Sequence, residues 1–320
     1  MAIAPQPITL PQHTALPAAH RPRRFLARAA LAPIHAWHLL SLDAPTVAAL
    51  WAFAFARAFR LILSPYAMPL LFAGTWLLYI ADRILDGFRP NPACLRERHL
   101  FYMRHRLAVT AIAVPVGIIL AWLIFFHMLP AARRADALIF GVVAAYFALV
   151  HLRGHEIERW FPKELIVAVI FASATAVPAL VRIAPPAAAD PSQDKFILLL
   201  MSALFAALCW LNCVAIEKWE HPSHPMRRLT ILTPKPAAAD RTARWGQHHL
   251  RRLSFLLALA AVLAAASLLP YNPQATALCI AAAASALLFI ALDRARLSSF
   301  HLRIAADAAL LTPLLALFIR

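Results

Sequence analysis

The 320-residue chain is too apolar for a water-soluble protein, since 62% of its residues are hydrophobic, only 14% are charged, and its mean hydropathy is +0.68. Soluble domains carry roughly a quarter charged residues. The apolar runs here are about 20 residues long and do not alternate, which disfavours a β-barrel and favours membrane-spanning helices. The composition therefore predicts an all-α, polytopic integral membrane bundle.

Two regions follow one another along the chain. Residues 1–24 are rich in Pro, Ala, Thr and His, and we predict a disordered tail there. Residues 25–320 are predicted to form a single transmembrane domain. Hydropathy divides this domain into about nine predicted spans, at 45–63, 66–86, 107–129, 136–151, 164–183, 195–216, 253–269, 274–292 and 302–319.

The formal net charge of +16 is unevenly distributed between the loops. If the N-terminus is cytoplasmic, the loops on that side hold most of the 31 lysines and arginines. Cytoplasmic loops of membrane proteins are enriched in lysine and arginine. We therefore expect a cytoplasmic N-terminus, an external C-terminus and residence in a bacterial inner membrane. The same asymmetry accounts for the basic chain without any nucleic-acid partner.

Two predicted spans end in acidic residues on the cytoplasmic side. The second span ends in Asp82-Arg-Ile-Leu-Asp86, and the sixth ends in a segment that contains Asn212, Glu217 and Glu220. Residues three or four apart share one face of a helix, so each pair of carboxylates points in one direction. Carboxylates beside hydrocarbon are costly, and they indicate a functional site by default.

A cation placed between the two acidic pairs would relieve their mutual repulsion. Oxygen-only ligands at a hydrated boundary suit Mg²⁺, usually completed by a phosphate-bearing substrate. The alternative is that both pairs are solvated helix ends, neutralised by their neighbours Arg83 and Lys218.

The arrangement resembles the UbiA superfamily of intramembrane prenyltransferases. That family's first motif is N-D-x-x-D-R-x-x-D, and residues 78–86 retain D-R-x-x-D in register, with Leu78-Tyr79 in place of Asn-Asp. The second motif, approximately N-D-x-x-D-x-E-G-D, is matched at Asn212 and by the final acid, Glu220. A tyrosine–proline, lysine–arginine segment of the family is loosely matched by residues 161–164.

The resemblance implies Mg²⁺-dependent transfer of an isoprenyl group from an isoprenyl diphosphate to a hydrophobic acceptor, such as an aromatic compound, a quinone precursor or a lipid. It implies a site facing the cytoplasm. The catalytic metal ligands would be four acidic residues: Asp82, Asp86, Glu217 and Glu220. The substrate-binding residues would be Arg83, Lys163, Asn212, Lys218 and Tyr79.

Two other functions are compatible with the sequence. The chain could keep the same fold as a non-catalytic binder of lipid or quinone, or as a scaffold. It could also be a di-iron membrane oxidase, because histidines recur on the predicted cytoplasmic side. These histidines are His151 and His155, His221 and His224, and His248 with His249.

The remaining polar residues are predicted to be structural. Arg303 and Asp307 lie four residues apart in the last predicted span, which suggests an ion pair between them. Asp293 is predicted to lie in a solvated loop. The four cysteines form no CxxC pair, so we expect small buried side chains rather than a zinc site or a disulfide framework.

Overall fold

The computed structural model describes residues 33–87, 97–153, 163–183, 191–220 and 238–316. The predicted tail at 1–24 lies outside these ranges. Within them the regular secondary structure is entirely helical, with no strand, so the predicted all-α class is confirmed. The helices are α1 Pro33–Leu39, α2 Asp43–Ala58, α3 Ala67–Gly87, α4 Glu97–Arg104, α5 Arg106–His127, α6 Pro130–Arg153, α7 Lys163–Leu180, α8 Pro191–Glu220, α9 Ala238–Leu268, α10 Pro273–Leu292, α11 Ser299–Ala309 and α12 Pro313–Ala316.

Six of the described helices are long and apolar enough to cross a membrane: α3, α5, α7, α8, α9 and α10. A span needs about 20 predominantly apolar residues to cover about 30 Å of hydrocarbon. The first predicted span differs because α2 has only 16 residues and meets α1 at an angle of 89°. The last predicted span is divided between α11, of 11 residues, and α12, of 4 residues.

The core lies where α8 packs against α7, α9, α10 and α11. Its centre is aromatic, with the rings of Trp51 and Phe205 stacked at 4.3 Å. By contrast, α5 buries little within the protein apart from Val109, which suits a helix that faces lipid. Trp51 also donates from Nε1 to the carbonyl of Leu310 at 2.8 Å, which ties α2 to the α11–α12 junction.

The sharp bend between α1 and α2 positions the polar residues described below. Ser41 lies in the bend with φ of 53°, a left-handed conformation that is unusual for a residue other than glycine. Ser41 is fully buried, so the surrounding packing holds it there. As a result, His38 at the end of α1 reaches back to Asp43 in the first turn of α2.

Candidate functional site

A cluster of His38, Asp43 and Asp307 lies where α1, α2 and α11 meet. Asp43 Oδ2 accepts from His38 Nδ1 at 3.0 Å, and the same nitrogen lies 3.8 Å from Asp307 Oδ2. One potential metal-binding atom from each residue lies within 4.8 Å of the other two. We refer to these three residues as the His–Asp cluster.

The His–Asp cluster is mostly shielded from solvent. The side chains of His38, Asp43 and Asp307 are 7%, 10% and 18% exposed. The Arg98 guanidinium of α4 reaches within 3.9 Å of Asp43 Oδ2. Asp43 Oδ1 accepts from the backbone N–H of Ala44 at 2.9 Å, which anchors the carboxylate on the first turn of α2. Burial strengthens electrostatic interactions, so the two carboxylates need the positive or polar groups around them.

Asn212 joins α8 to this cluster. Its Nδ2 donates to Asp307 Oδ1 at 3.0 Å, and the residue is only 9% exposed. Its Oδ1 is buried and has no hydrogen-bond partner among the described residues. A buried acceptor that makes no hydrogen bond costs about 1–3 kcal/mol, so an orphan amide oxygen here calls for an explanation.

Two residues predicted from the first acidic motif lie beside the cluster. The Tyr79 hydroxyl is within electrostatic range of Asp43, Asp307 and Cys213. The Arg83 guanidinium lies 5.8 Å from the centroid of the Tyr79 ring. Both residues project from α3, which carries the first acidic motif, and Asn212 projects from α8, which carries the second. The two helices thus contribute to one polar region. Tyr79 and Asn212 are therefore brought together around the His–Asp cluster.

Two of the four predicted metal ligands contact arginines. Asp82 Oδ2 lies 3.2 Å from Arg83 Nη1, and Glu220 Oε1 lies 2.7 Å from Arg303 Nη1. Glu217 is half-buried near the end of α8, while the side chain of Asp86 lies outside the described part of the chain. That these four carboxylates bind a metal stays a prediction.

The remaining predicted phosphate-binding residues lie at helix ends. Lys163 is half-buried at the start of α7. Lys218, near the end of α8, donates from Nζ to Asp293 Oδ1 at 2.7 Å. The lysine that the sequence placed against a phosphate is therefore engaged in an ion pair that joins α8 to the end of α10.

Two structural predictions are wrong. Arg303 contacts Glu220 rather than Asp307, because the side chain of Asp307 turns to Asn212 on the neighbouring α8. Asp293 is not solvated, since its side chain is only 3% exposed.

Asp293 instead accepts from three side chains of α8 and α9. Besides Lys218, Trp219 donates from Nε1 to Oδ1 at 3.0 Å and Arg251 donates from Nε to Oδ2 at 2.6 Å. Burial alone would raise the pKa of Asp293, but hydrogen bonds from these three residues outweigh it and hold the pKa below its usual value. This carboxylate links α8, α9 and α10 at one end of the bundle.

That the histidine pairs form an iron site stays a prediction. The rings of His248 and His249 lie 4.8 Å apart, and His249 Nδ1 contacts the carbonyl of Trp245 at 2.9 Å. The side chain of His151 and residues 155, 221 and 224 lie outside the described residues. Within the described part of the chain, the three-residue group close enough to hold a metal is the His–Asp cluster.

A cavity of about 650 Å³ opens at the other end of α2. Its charged lining residues are Arg57 and Arg60, and apolar residues such as Phe53 and Met68 form much of the rest. Arg57 lies 14 positions after Asp43 on one helix, a separation of about 21 Å at 1.5 Å per residue. The described lining contains no acidic residue, so this cavity does not suit a divalent metal.

His38 and Asp43 were not identified from the sequence as site residues. Both precede the first predicted span, which begins at residue 45, and no recognised motif includes them. The available signal was a histidine and an aspartate five residues apart at the entrance to an apolar helix. They lie close to Asp307 only because the chain bends at Ser41, and the pattern of residue types does not predict that bend.

Six long apolar helices with a buried polar region near one end define an α-helical integral membrane protein. No family model, curated protein or solved structure matches the chain.

Proposed function

We propose that the protein transfers an isoprenyl group from an isoprenyl diphosphate to a hydrophobic acceptor within the membrane. The observation that carries the proposal is the convergence of Tyr79 from α3 and Asn212 from α8 on one buried polar region. These helices carry the two acidic motifs that resemble those of the UbiA superfamily. A charged region at the end of an apolar bundle suits an amphiphile with a diphosphate head and a hydrocarbon tail.

Mg²⁺ fits the chemistry of the predicted ligands Asp82, Asp86, Glu217 and Glu220, which offer only oxygen. The ion pairs of Asp82 and Glu220 each use one oxygen, and a carboxylate has two with which to bind cations. Bound Mg²⁺ would stabilise the charge of the departing diphosphate.

The basic groups of the polar region would hold the diphosphate oxygens. Arg83 and Lys163 are the predicted contacts, and Arg303 adds a third. Arg303 is buried, and its Nε and Nη2 have no hydrogen-bond partner among the described residues. Charge-assisted hydrogen bonds from guanidinium to phosphate are roughly twice as strong as neutral ones. The surrounding apolar helices would exclude water from the reactive isoprenyl group.

The proposed orientation places this polar region on the cytoplasmic side of a bacterial inner membrane. The concentration of lysine and arginine in alternate loops supports it. This orientation requires nine crossings. Three of them, formed by α1–α2, α6 and α11–α12, would lie outside the six helices that are long and apolar enough to cross a membrane by themselves. Membrane lipid, isoprenyl diphosphate and the hydrophobic acceptor would be the partners.

The test is release of diphosphate by the purified protein in lipid nanodiscs supplied with allylic diphosphates of several chain lengths and with candidate aromatic, quinone-precursor or lipid acceptors. We expect release that requires Mg²⁺ and is abolished by Asp82→Ala and by Asp86→Ala. Asp194→Ala is the matched control because Asp194 lies in the first turn of α8, far along the helix from Asn212. Release that is unaffected by both motif substitutions would refute the proposal.

One observation favours a second candidate, a non-catalytic binder of lipid or quinone. The carboxylates of Asp82 and Glu220 are paired with arginines, as in a region stabilised for structure rather than chemistry. This candidate predicts no turnover but a co-purifying amphiphile. Mass spectrometry of solvent extracts from the purified protein distinguishes the two functions.

A further inference from the structure

The His–Asp cluster and the Asn212 amide offer a set of metal ligands distinct from the predicted magnesium carboxylates. The set contains one imidazole nitrogen, two carboxylates and one amide oxygen, drawn from α1, α2, α8 and α11. None of these residues belongs to the four acidic positions predicted from the sequence motifs.

The spacing of the potential ligand atoms suits a single cation. Two atoms that each coordinate a metal at about 2.1 Å lie at most about 4.2 Å apart. His38 Nδ1 lies 3.0 Å from Asp43 Oδ2 and 3.8 Å from Asp307 Oδ2, so both pairs meet this limit. The cluster thus needs little rearrangement to receive an ion.

The unsatisfied oxygen of Asn212 is a second and independent indication of a ligand. Asn212 is more than nine-tenths buried, and its amide is fixed at the cluster by the Nδ2 hydrogen bond to Asp307. Its Oδ1 accepts no hydrogen bond from the described residues. An amide oxygen is a ligand that a divalent cation accepts, so this buried oxygen adds to the ligands that the His–Asp cluster offers.

We propose that His38, Asp43, Asp307 and Asn212 bind one divalent cation of the Mn²⁺ or Zn²⁺ class. Imidazole nitrogen favours transition metals over Mg²⁺ and Ca²⁺, while the oxygen ligands keep Mn²⁺ acceptable. Arg98, 3.9 Å from Asp43 Oδ2, remains beside the carboxylates and limits the accumulated negative charge. The proposed cation site can be tested independently of isoprenyl transfer, because Mn²⁺ binding is measured without turnover.

Mn²⁺ is the probe for the experiment, which uses the full chain in detergent after chelator treatment. Continuous-wave electron paramagnetic resonance measures bound and free Mn²⁺, and pulsed measurements detect nitrogen coupled to the metal. We expect one Mn²⁺ per chain that is coupled to one imidazole nitrogen and displaced by Zn²⁺; Mn²⁺ bound to the oxygen-only magnesium ligands would lack this coupling. His38→Gln should remove the nitrogen coupling, and Asp43→Asn or Asp307→Asn should weaken binding at least about 10-fold.

Matched controls separate this site from its surroundings. His35→Gln removes a histidine one turn earlier on α1 and should leave the nitrogen coupling intact. Asp82→Asn and Glu220→Gln alter the predicted magnesium ligands and should leave the affinity for the nitrogen-coupled Mn²⁺ within about twofold. Size-exclusion chromatography and circular dichroism confirm that each variant is folded.

Two outcomes would overturn the proposal. The first is an unaltered wild-type protein that binds no Mn²⁺, or binds it without nitrogen coupling, a result that requires no variant to fold. The second is an affinity for nitrogen-coupled Mn²⁺ that falls in Asp82→Asn but does not fall in a folded Asp43→Asn. If the wild-type protein binds Mn²⁺ as expected but releases no diphosphate, the result counts against the proposed reaction alone.

Discussion

Asn212 on α8 donates from Nδ2 to Oδ1 of Asp307 on α11 at 3.0 Å, joining residues 95 positions apart. This hydrogen bond connects a position of the second acidic motif to the His–Asp cluster. Asp307 in turn lies beside His38 and Asp43, so α8 is connected through α11 to the two helices near the start of the chain.

Replacing Asn212 should show how much this hydrogen bond contributes. Asn212→Leu keeps the approximate size but leaves the Asp307 carboxylate without its amide donor. We expect a loss of about 1–3 kcal/mol in unfolding free energy, the cost typical of a buried group left unpaired. Denaturant unfolding in detergent measures it. Gln193→Leu, at an exposed position on the same helix, is the control and should change stability little.

Asp293 should make the stability of the protein depend on pH in the acidic range. Its folded-state pKa lies below its ordinary value of 3.8, so the stabilisation is complete above that value and is lost as the pH falls towards the folded-state pKa. Thermal unfolding of the wild type should therefore shift to lower temperature below about pH 4. Asp293→Asn should be less stable at pH 7 and should lose part of this dependence. Equal pH dependence in both proteins would contradict the account.

Trp51 should be sensitive even to conservative replacement. Trp51→Phe retains an aromatic ring in the core but removes the Nε1 donor to Leu310 and leaves a smaller ring against Phe205. We expect destabilisation of about 1–3 kcal/mol, read from the unfolding midpoint. Trp122→Phe is the control, because Trp122 is 52% exposed on α5. A similar effect at both positions would contradict the assigned core.

Gly246 should tolerate a methyl group poorly. A Cβ there would lie 3.2 Å from Val214 Cγ1 and 3.4 Å from Trp210, and Val214 is fully buried between α8 and α9. Gly246→Ala should therefore destabilise the protein despite the better helix propensity of alanine, which is worth about 1 kcal/mol. Gly141→Ala, with nothing within 4 Å of the new Cβ, should be neutral or stabilising. Thermal unfolding of the two variants gives the comparison.

The sequence predicted the helical class because apolar runs of this length require membrane helices. The motif register also singled out Tyr79 and Asn212, which the structure places beside one polar region, and their roles stay predictions. The partner of Arg303 depended on which helix packs against α11, so its pairing with Glu220 was missed.

The place of His38 in the His–Asp cluster could not be predicted, for a different reason. It requires the left-handed conformation of Ser41, and only the surrounding packing stabilises that conformation. Asp293 was likewise misassigned because its partners come from α8 and α9, which are distant in sequence. Tertiary contacts of this kind leave no periodic signal along the chain.

The most direct test of the proposed reaction is Mg²⁺-dependent release of diphosphate from an allylic isoprenyl diphosphate by the protein in nanodiscs. We expect release by the wild type that stops on chelation of Mg²⁺ and in folded Asp82→Ala. Release that continues unchanged in that variant, or no release with any chain length in the presence of candidate acceptors, would contradict isoprenyl transfer.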